Sequence, residues 1–186
     1  MLKRIKLSSR FKKWVLLILL GMSLFMSLLF LSVYAGLWGK LPDSKDLKEL
    51  QQSQATEILS DDGTLIGKYY IFDRQPVVYK ELPQHLINAL VATEDVRFYD
   101  HSGIDQRSLL RVFFKSILLQ DDSSGGGSTI TLQLAKNLFG RQDFGAVSIV
   151  INKIREAIIA KRLERLYSKE EILTLYLNTV PFSDNT

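Results

Sequence analysis

Along the first 40 positions polar and apolar residues segregate instead of alternating. Six cations, Lys3, Arg4, Lys6, Arg10, Lys12 and Lys13, precede Trp14 to Trp38, 25 residues without a charge. A helix needs ~20 apolar residues to cross the hydrocarbon core of a bilayer. The pattern therefore predicts a cytoplasmic tip at 1–13 and a transmembrane anchor at 14–38, with the rest of the chain outside. A cleaved signal peptide is the competing reading. Its apolar core runs only ~7–15 residues and ends at a small-residue site, and "SVYAG" is a poor one. Trp14, Tyr34 and Trp38 stand where interfacial aromatics belong.

Beyond the anchor the period changes. Residues 39–54, "GKLPDSKDLKELQQSQ", are polar and read as a linker or juxtamembrane helix. "TEILSDDGTLIGKYYIF" carries two β-prone runs around Asp62-Gly63, a hairpin signal. Then the spacing turns helical. Pro83 opens a helix with a stripe of Leu86, Ala89, Leu90 and Thr93. Asp105 can cap "QRSLLRVFFKSILLQ". "QDDSSGGG" is a loop, another helix begins near Ser128, and a long one runs from about Ser148 to Arg165. Ser168 and Glu171 form a capping box for "KEEILTLYLN". The expected class is mainly α: a helical domain over 55–186 with a small N-terminal β-hairpin. No element closes the chain after Pro181, so the domain is expected to continue past Thr186.

Composition changes this picture little. Of 24 Lys and Arg, six lie in the tip, which leaves 18 cations against 20 Asp and Glu. The folded part lacks the basic excess that nucleic acid would require. With no cysteine, disulfides and thiolate metal sites are excluded.

Three stretches hold candidate chemistry, and each also has a plain structural reading. In "GGGSTITLQLAKNLF" a helix N-terminus follows glycines and hydroxyls, which suits a phosphate or pyrophosphate. Thr129, Gln133 and Lys136 share one face, and Ile130, Leu134 and Leu138 share the core face. The lysine stands nine residues after Gly127, so this is not a nucleotide P-loop; a surface loop with a capped amphipathic helix would look the same. In "ATEDVRFYDHSGID", Glu94 ends an apolar helix, where a carboxyl can serve as general base or acid, or can be a solvated helix end. In "NKIREAIIAKRLE", Lys153 and Glu156 share a face beside an Ile151, Ile154 and Ile158 core stripe, as an ordinary i,i+3 pair also would.

Taken together, in this order, the stretches resemble the peptidoglycan glycosyltransferase family, family 51 of the glycosyltransferases. That family forms the N-terminal catalytic part of class A penicillin-binding proteins and also occurs as monofunctional enzymes. "EDVRFYDHSG" matches its Glu-Asp-x-x-Phe-x-x-His-x-Gly. "GGSTITLQLAKN" matches its Gly-Gly-Ser-Thr-Ile-Thr-Gln-Gln-Leu-x-Lys-Asn. "NKIREAIIAKRLERLYSKEEILTLYLN" matches its Arg-Lys-x-x-Glu helix and the segment after it. The resemblance covers roughly residues 56–186 and implies a lysozyme-like helical core.

It also implies an activity: polymerisation of lipid II into glycan strands, with inversion and release of undecaprenyl pyrophosphate. Glu94 is then the general base, and Glu156 the second important glutamate, holding the donor side. Gly127, Ser128, Thr129, Gln133, Lys136 and Asn137 contact pyrophosphate and sugars, joined by Lys153 and Arg111. Asp95, Phe98 and His101 belong to the same substrate-side set and shape the catalytic loop. Metal ligands are unknown, and a divalent cation, Mg or Mn, held through Glu156 is the one cofactor allowed. The implied partners are lipid II, the growing strand, membrane lipids, cell-wall synthesis proteins and a transpeptidase domain in a longer chain. The implied place is the bacterial inner membrane, with the catalytic domain on its periplasmic side.

Two positions depart from the family pattern. Leu132 replaces the first glutamine of a pair and is expected beside the Lys136 face. Asn152 replaces the arginine before Lys153, which removes a cation near the donor site, and "GRQDFGAVSIVI" reads as a longer loop than the family's. Lys169 is expected to lie exposed in the last capping turn. A lysozyme-like glycan hydrolase and a non-catalytic scaffold binding lipid-linked precursor are the alternatives. The first needs two carboxylates about the bond and no pyrophosphate site; the second has no use for Glu94.

Overall fold

The computed structural model describes residues 8–50, 56–69, 76–118 and 127–181. Gly125, Gly126 and the rest of the expected "QDDSSGGG" loop except Gly127 lie outside them, as do residues 1–7, 51–55, 70–75 and 182–186. Two compact units result, Met1–Leu41 and Pro42–Thr186.

The first unit is one long helix, α1 (Ser9–Tyr34). It begins five residues before the apolar run, because Ser8 caps it by accepting from the Phe11 amide at 3.2 Å. It is long and apolar enough to cross a membrane. Past its end Gly36 takes φ +82°, and the Trp38 indole donates to Ser32 Oγ at 2.8 Å.

The second unit starts earlier than the linker reading placed it. Within 39–54, residues 44–48 form a short helix, α2 (Ser44–Lys48), closed by an Asp43/Asp46 capping box. It packs on the domain's central helix and buries Leu47 completely. Arg162 donates to the Pro42 carbonyl and the Tyr167 hydroxyl to the Leu47 carbonyl at 2.6 Å. A single leucine among charges carries no periodicity, so the pattern hid this docking.

The hairpin forms as expected: β1 (Thr56–Leu59) pairs antiparallel with β2 (Leu65–Tyr69). Gly63 makes the turn at φ +82°, a conformation that glycine adopts without strain. Then come α3 (Gln84–Glu94), α4 (Gln106–Leu118), α5 (Ile130–Phe139), α6 (Ser148–Leu166) and α7 (Lys169–Thr179). α6 is the hub, with α2, α5 and α7 against it, and α5 also packs on α7. The core includes Ile130, Leu134, Ile151, Leu163, Ile172 and Leu173, all fully buried. The mainly helical class with one small hairpin is what the chain adopts.

Three local expectations change. On α3 the buried residue is Ile87, while Leu86 of the expected stripe stays 41% exposed. Leu132 lies in the core at 6% exposure, not beside Lys136. On α6 the buried surface extends well beyond the isoleucines to Asn152, Arg155, Glu156 and Ala160, so the Lys153–Glu156 pair is not a solvated surface pair.

Lys169 is the fourth. Its ammonium donates to the His101 carbonyl at 2.7 Å and to Glu164 at 2.9 Å, and lies 4.2 Å over the Phe98 ring. Glu164 is itself buried and also accepts from the Thr131 hydroxyl at 2.6 Å. Lys169→Ala strands that carboxylate, so we expect a loss of roughly 2–3 kcal/mol. Thermal unfolding should show a fall of about 5–10 °C. An unchanged melting temperature would return Lys169 to the surface.

Candidate functional site

The site is built where α3 ends, because four buried contacts fix the backbone there. Asp95, 7% exposed, follows the last residue of α3. Its carboxylate accepts from the Ile130 amide at 3.1 Å and lies 3.0 and 3.1 Å from His101 Nε2. The first amide of α5 is therefore satisfied by a protein carboxylate, which also complements the helix dipole. Thr129 caps the same helix. Its Oγ1 accepts from the Leu132 amide at 3.2 Å, and its hydroxyl donates to the Gly103 carbonyl at 2.6 Å. Gly103 sits at φ +89° with its α-carbon against α6, where a Cβ would meet the Ala160 carbonyl at 3.2 Å. Phe98, fully buried, lies edge-on to Tyr99 and His101.

At the helix N-terminus expected to receive a pyrophosphate, the Ile130 and Leu132 amides are thus already engaged by protein oxygens. Asp95, Phe98, His101 and Thr129 direct their polar or aromatic groups into the protein. They weld the first motif to the second and to α6, and Asp95 and Thr129 also line the cleft beside Glu94. His101 Nδ1 is buried and has no protein partner among the described residues.

This weld leaves Glu94 beside a cleft of about 300 Å³, whose lining includes Arg97, Arg111, Gly127 and Ser128. Gln133 Nε2 donates to Glu94 Oε2 at 2.7 Å, and the Tyr176 hydroxyl donates to Gln133 Oε1 at 2.9 Å. Burial, then the negative charge of Glu94, push the Tyr176 phenol up to about 12, so it remains a donor. The relay orients one carboxylate oxygen, and Oε1 accepts nothing from the described residues. Arg97 is fixed by Asp105 at 2.7 Å and Ser108 at 3.0 Å. Burial alone would raise the Asp105 carboxyl, but the Ser108 amide and hydroxyl and Arg97 outweigh it and hold it at about 2. Asp105 also caps α4 through the Arg107 and Ser108 amides. Its stabilising contribution is complete above the ordinary value of 3.8 and is lost as pH falls towards 2.

A second cluster adjoins Ser128. Lys153 Nζ donates to Ser128 Oγ at 3.1 Å and pairs with Glu156 Oε2 at 3.0 Å. Arg141 Nε pairs with Glu156 Oε1 at 2.8 Å. Glu156 is buried, whereas both cations are about half exposed. With both its oxygens engaged, Glu156 does not fit a divalent-ion ligand. The described residues also bring no three His, Asp or Glu side chains together for one. Lys136 lies one turn beyond Gln133 on α5, exposed and without an ion pair among the described residues. Asn137 is its part-buried neighbour, and Arg111 is exposed, with Ser108 Oγ at 3.4 Å its partner among the described residues.

The family's sequence model, described as Transglycosylase, matches residues 62–186. The chain belongs to the transglycosylase family. Its similarity to named relatives runs through the same region. It is 40% identical over 140 residues to penicillin-binding protein 1A of Vibrio cholerae, covering 75% of this chain and 16% of that one. It is 40% identical over 137 residues to penicillin-binding protein 1F of Bacillus subtilis, at 74% and 18% coverage. With penicillin-binding protein 1A of Escherichia coli the figures are 39% over 141 residues, 76% and 16%. The chain spans less than a fifth of the length of these relatives. The lysozyme-like helical class fits the transglycosylase family.

Four participants carried no readable signal of their role. Arg97 and Tyr176 lay inside quoted motifs but looked like spacer and core. Arg141 stood in a loop, and Lys169 in a capping turn. Each acts through a partner 8 to 68 positions away.

Proposed function

We propose that this transglycosylase domain polymerises lipid II into peptidoglycan glycan strands. The observation that carries the reading is Glu94: one oxygen is held by the Gln133–Tyr176 relay, and the other is left to a cleft lined by two arginines. Glu94 Oε1 takes the proton of the acceptor's 4-hydroxyl. That oxygen attacks the anomeric carbon of the growing strand from the face opposite its lipid pyrophosphate. The carbon–oxygen bond to phosphate breaks, the configuration inverts, and undecaprenyl pyrophosphate departs with the electron pair. Charge developing on the leaving group is met by fixed cations. Arg97 and Arg111 line the cleft, and Lys153, bonded to Ser128, and exposed Lys136 are further candidates.

The hydrolase reading requires two carboxylates flanking the bond. Glu156 is neutralised by Arg141 and Lys153, and Asp95 is tied to α5 and His101. Neither is free for that task, which favours transfer over hydrolysis. In this reading α1 anchors the chain in the bacterial inner membrane with its basic end cytoplasmic and the domain outside. Membrane lipids and the growing strand are then its neighbours, and a transpeptidase domain and cell-wall synthesis proteins its working partners.

The deciding experiment incubates the full-length membrane protein with lipid II and follows both polymer and released undecaprenyl pyrophosphate. Lys136→Ala should lower turnover by roughly tenfold or more, since a charge-assisted contact is lost. Lys80→Ala, on an exposed turn away from the cleft, should not. Equal effects would remove Lys136 from the leaving-group site.

A further inference from the structure

Asn152 stands where the family resemblance calls for an arginine, and the missing cation is this chain's clearest departure. The structure supplies a guanidinium by another route. We propose that Arg141 is the donor-side cation of this site, and that Asn152 is the positioning residue that delivers it. The inference rests on the glycosyltransferase reading above.

Three observations converge. Asn152, 3% exposed, makes both bonds of a strand-like pair with the main chain of Gln142. Its Oδ1 accepts from the Gln142 amide at 3.1 Å, and its Nδ2 donates to the Gln142 carbonyl at 2.8 Å. An arginine has no acceptor and could not make the first of these. The same device occurs at Asn178, which clamps the Val77 amide and carbonyl at 2.8 and 2.9 Å. The clamp holds the residue next to Arg141.

The long loop between α5 and α6 is organised, too. The Phe144 amide donates to Ser148 Oγ at 2.6 Å and the Gly145 amide to Asp143 Oδ1 at 2.8 Å. That amide, then the Ser148 hydroxyl, hold the Asp143 carboxyl below its ordinary value. Gly140 and Gly145 turn the chain at φ +64° and +63°.

The charge arrangement completes the case. Glu156, 4% exposed, anchors Arg141 on one oxygen and Lys153 on the other. One buried anion under two half-exposed cations leaves a net positive charge facing outward. Arg141 spends its Nε–H on Glu156, and its remaining N–H groups are directed to no described residue. A planar guanidinium with free donors suits a pyrophosphate oxygen pair better than a point charge does.

The test uses the full-length membrane protein with lipid II, together with hydrogen exchange at the Gln142 amide. Arg141→Gln should lower kcat/KM by roughly tenfold to a hundredfold, with Arg141→Lys retaining more. Asn152→Ala should cause a comparable loss, non-additive with Arg141→Gln, and should speed exchange at Gln142. Arg141→Gln should leave that exchange unchanged. Moving the cation, with Arg141→Gln and Asn152→Arg combined, should recover part of the activity. Activity within twofold for Arg141→Gln, in a protein that Glu94→Gln inactivates, overturns the donor role and spares the function. Unchanged exchange in Asn152→Ala overturns the clamp. Wild-type protein that polymerises nothing removes the function reading, and the donor role with it.

Discussion

Glu94→Gln is expected to reduce lipid II polymerisation by roughly a thousandfold, within the 10²–10⁴ range of a positioned general base, and to leave the fold unperturbed. The substitution changes no volume, and the amide oxygen can still accept from Gln133 Nε2, the bond that orients the side chain at 2.7 Å. What disappears is the capacity of the other oxygen to take a proton. The relay itself supplies the comparison. Gln133→Ala removes the link between Glu94 and Tyr176 but keeps the base, so its cost should be smaller, roughly tenfold. Rates with purified lipid II, set beside melting curves for each variant, separate the two effects. A Glu94→Gln protein within tenfold of wild type would mean that the proton leaves by another group.

The fold was largely legible because its signals are local. Asp62-Gly63 specifies the hairpin turn, and Ser168 with Glu171 specifies the start of α7. The 3.6-residue period places Ile130, Leu134, Ile151 and Ile158 inside. The residues of the candidate site were legible as a set of positions but not as a geometry. Spacing put Thr129, Gln133 and Lys136 on one face, yet they meet three different surroundings. Thr129 is buried against Gly103, Gln133 bonds Glu94, and Lys136 is exposed. A helical wheel gives direction around an axis, not what approaches from outside. The same limit hid Lys169, whose partners include His101, 68 positions away. It also hid Asn152, which reads as a lost charge until Gln142 is seen against it.

Asp95→Ala is the substitution expected to cost most in stability, roughly 3–5 kcal/mol. Asp95 joins the end of α3, the start of α5 and the loop that carries His101, all through one buried carboxylate. Removing it leaves the Ile130 amide buried without its acceptor and His101 Nε2 without its partner, and an unsatisfied buried donor carries its full desolvation cost. Ile130 and Phe98 beside it are fully buried, and Asp95 itself stands at the cleft with 7% exposure. Asp95→Asn keeps the shape and one acceptor, so it should lose less, about 1–2 kcal/mol. Arg107→Ala, exposed on α4, should stay within about 0.5 kcal/mol. Denaturant midpoints for the three variants rank these costs, and activity should fall with Asp95→Ala even where the protein remains folded, since α5 carries the glutamine that orients Glu94. If Asp95→Ala instead unfolds at the wild-type midpoint while activity is lost, Asp95 faces substrate, and the helix N-terminus is open to the pyrophosphate after all.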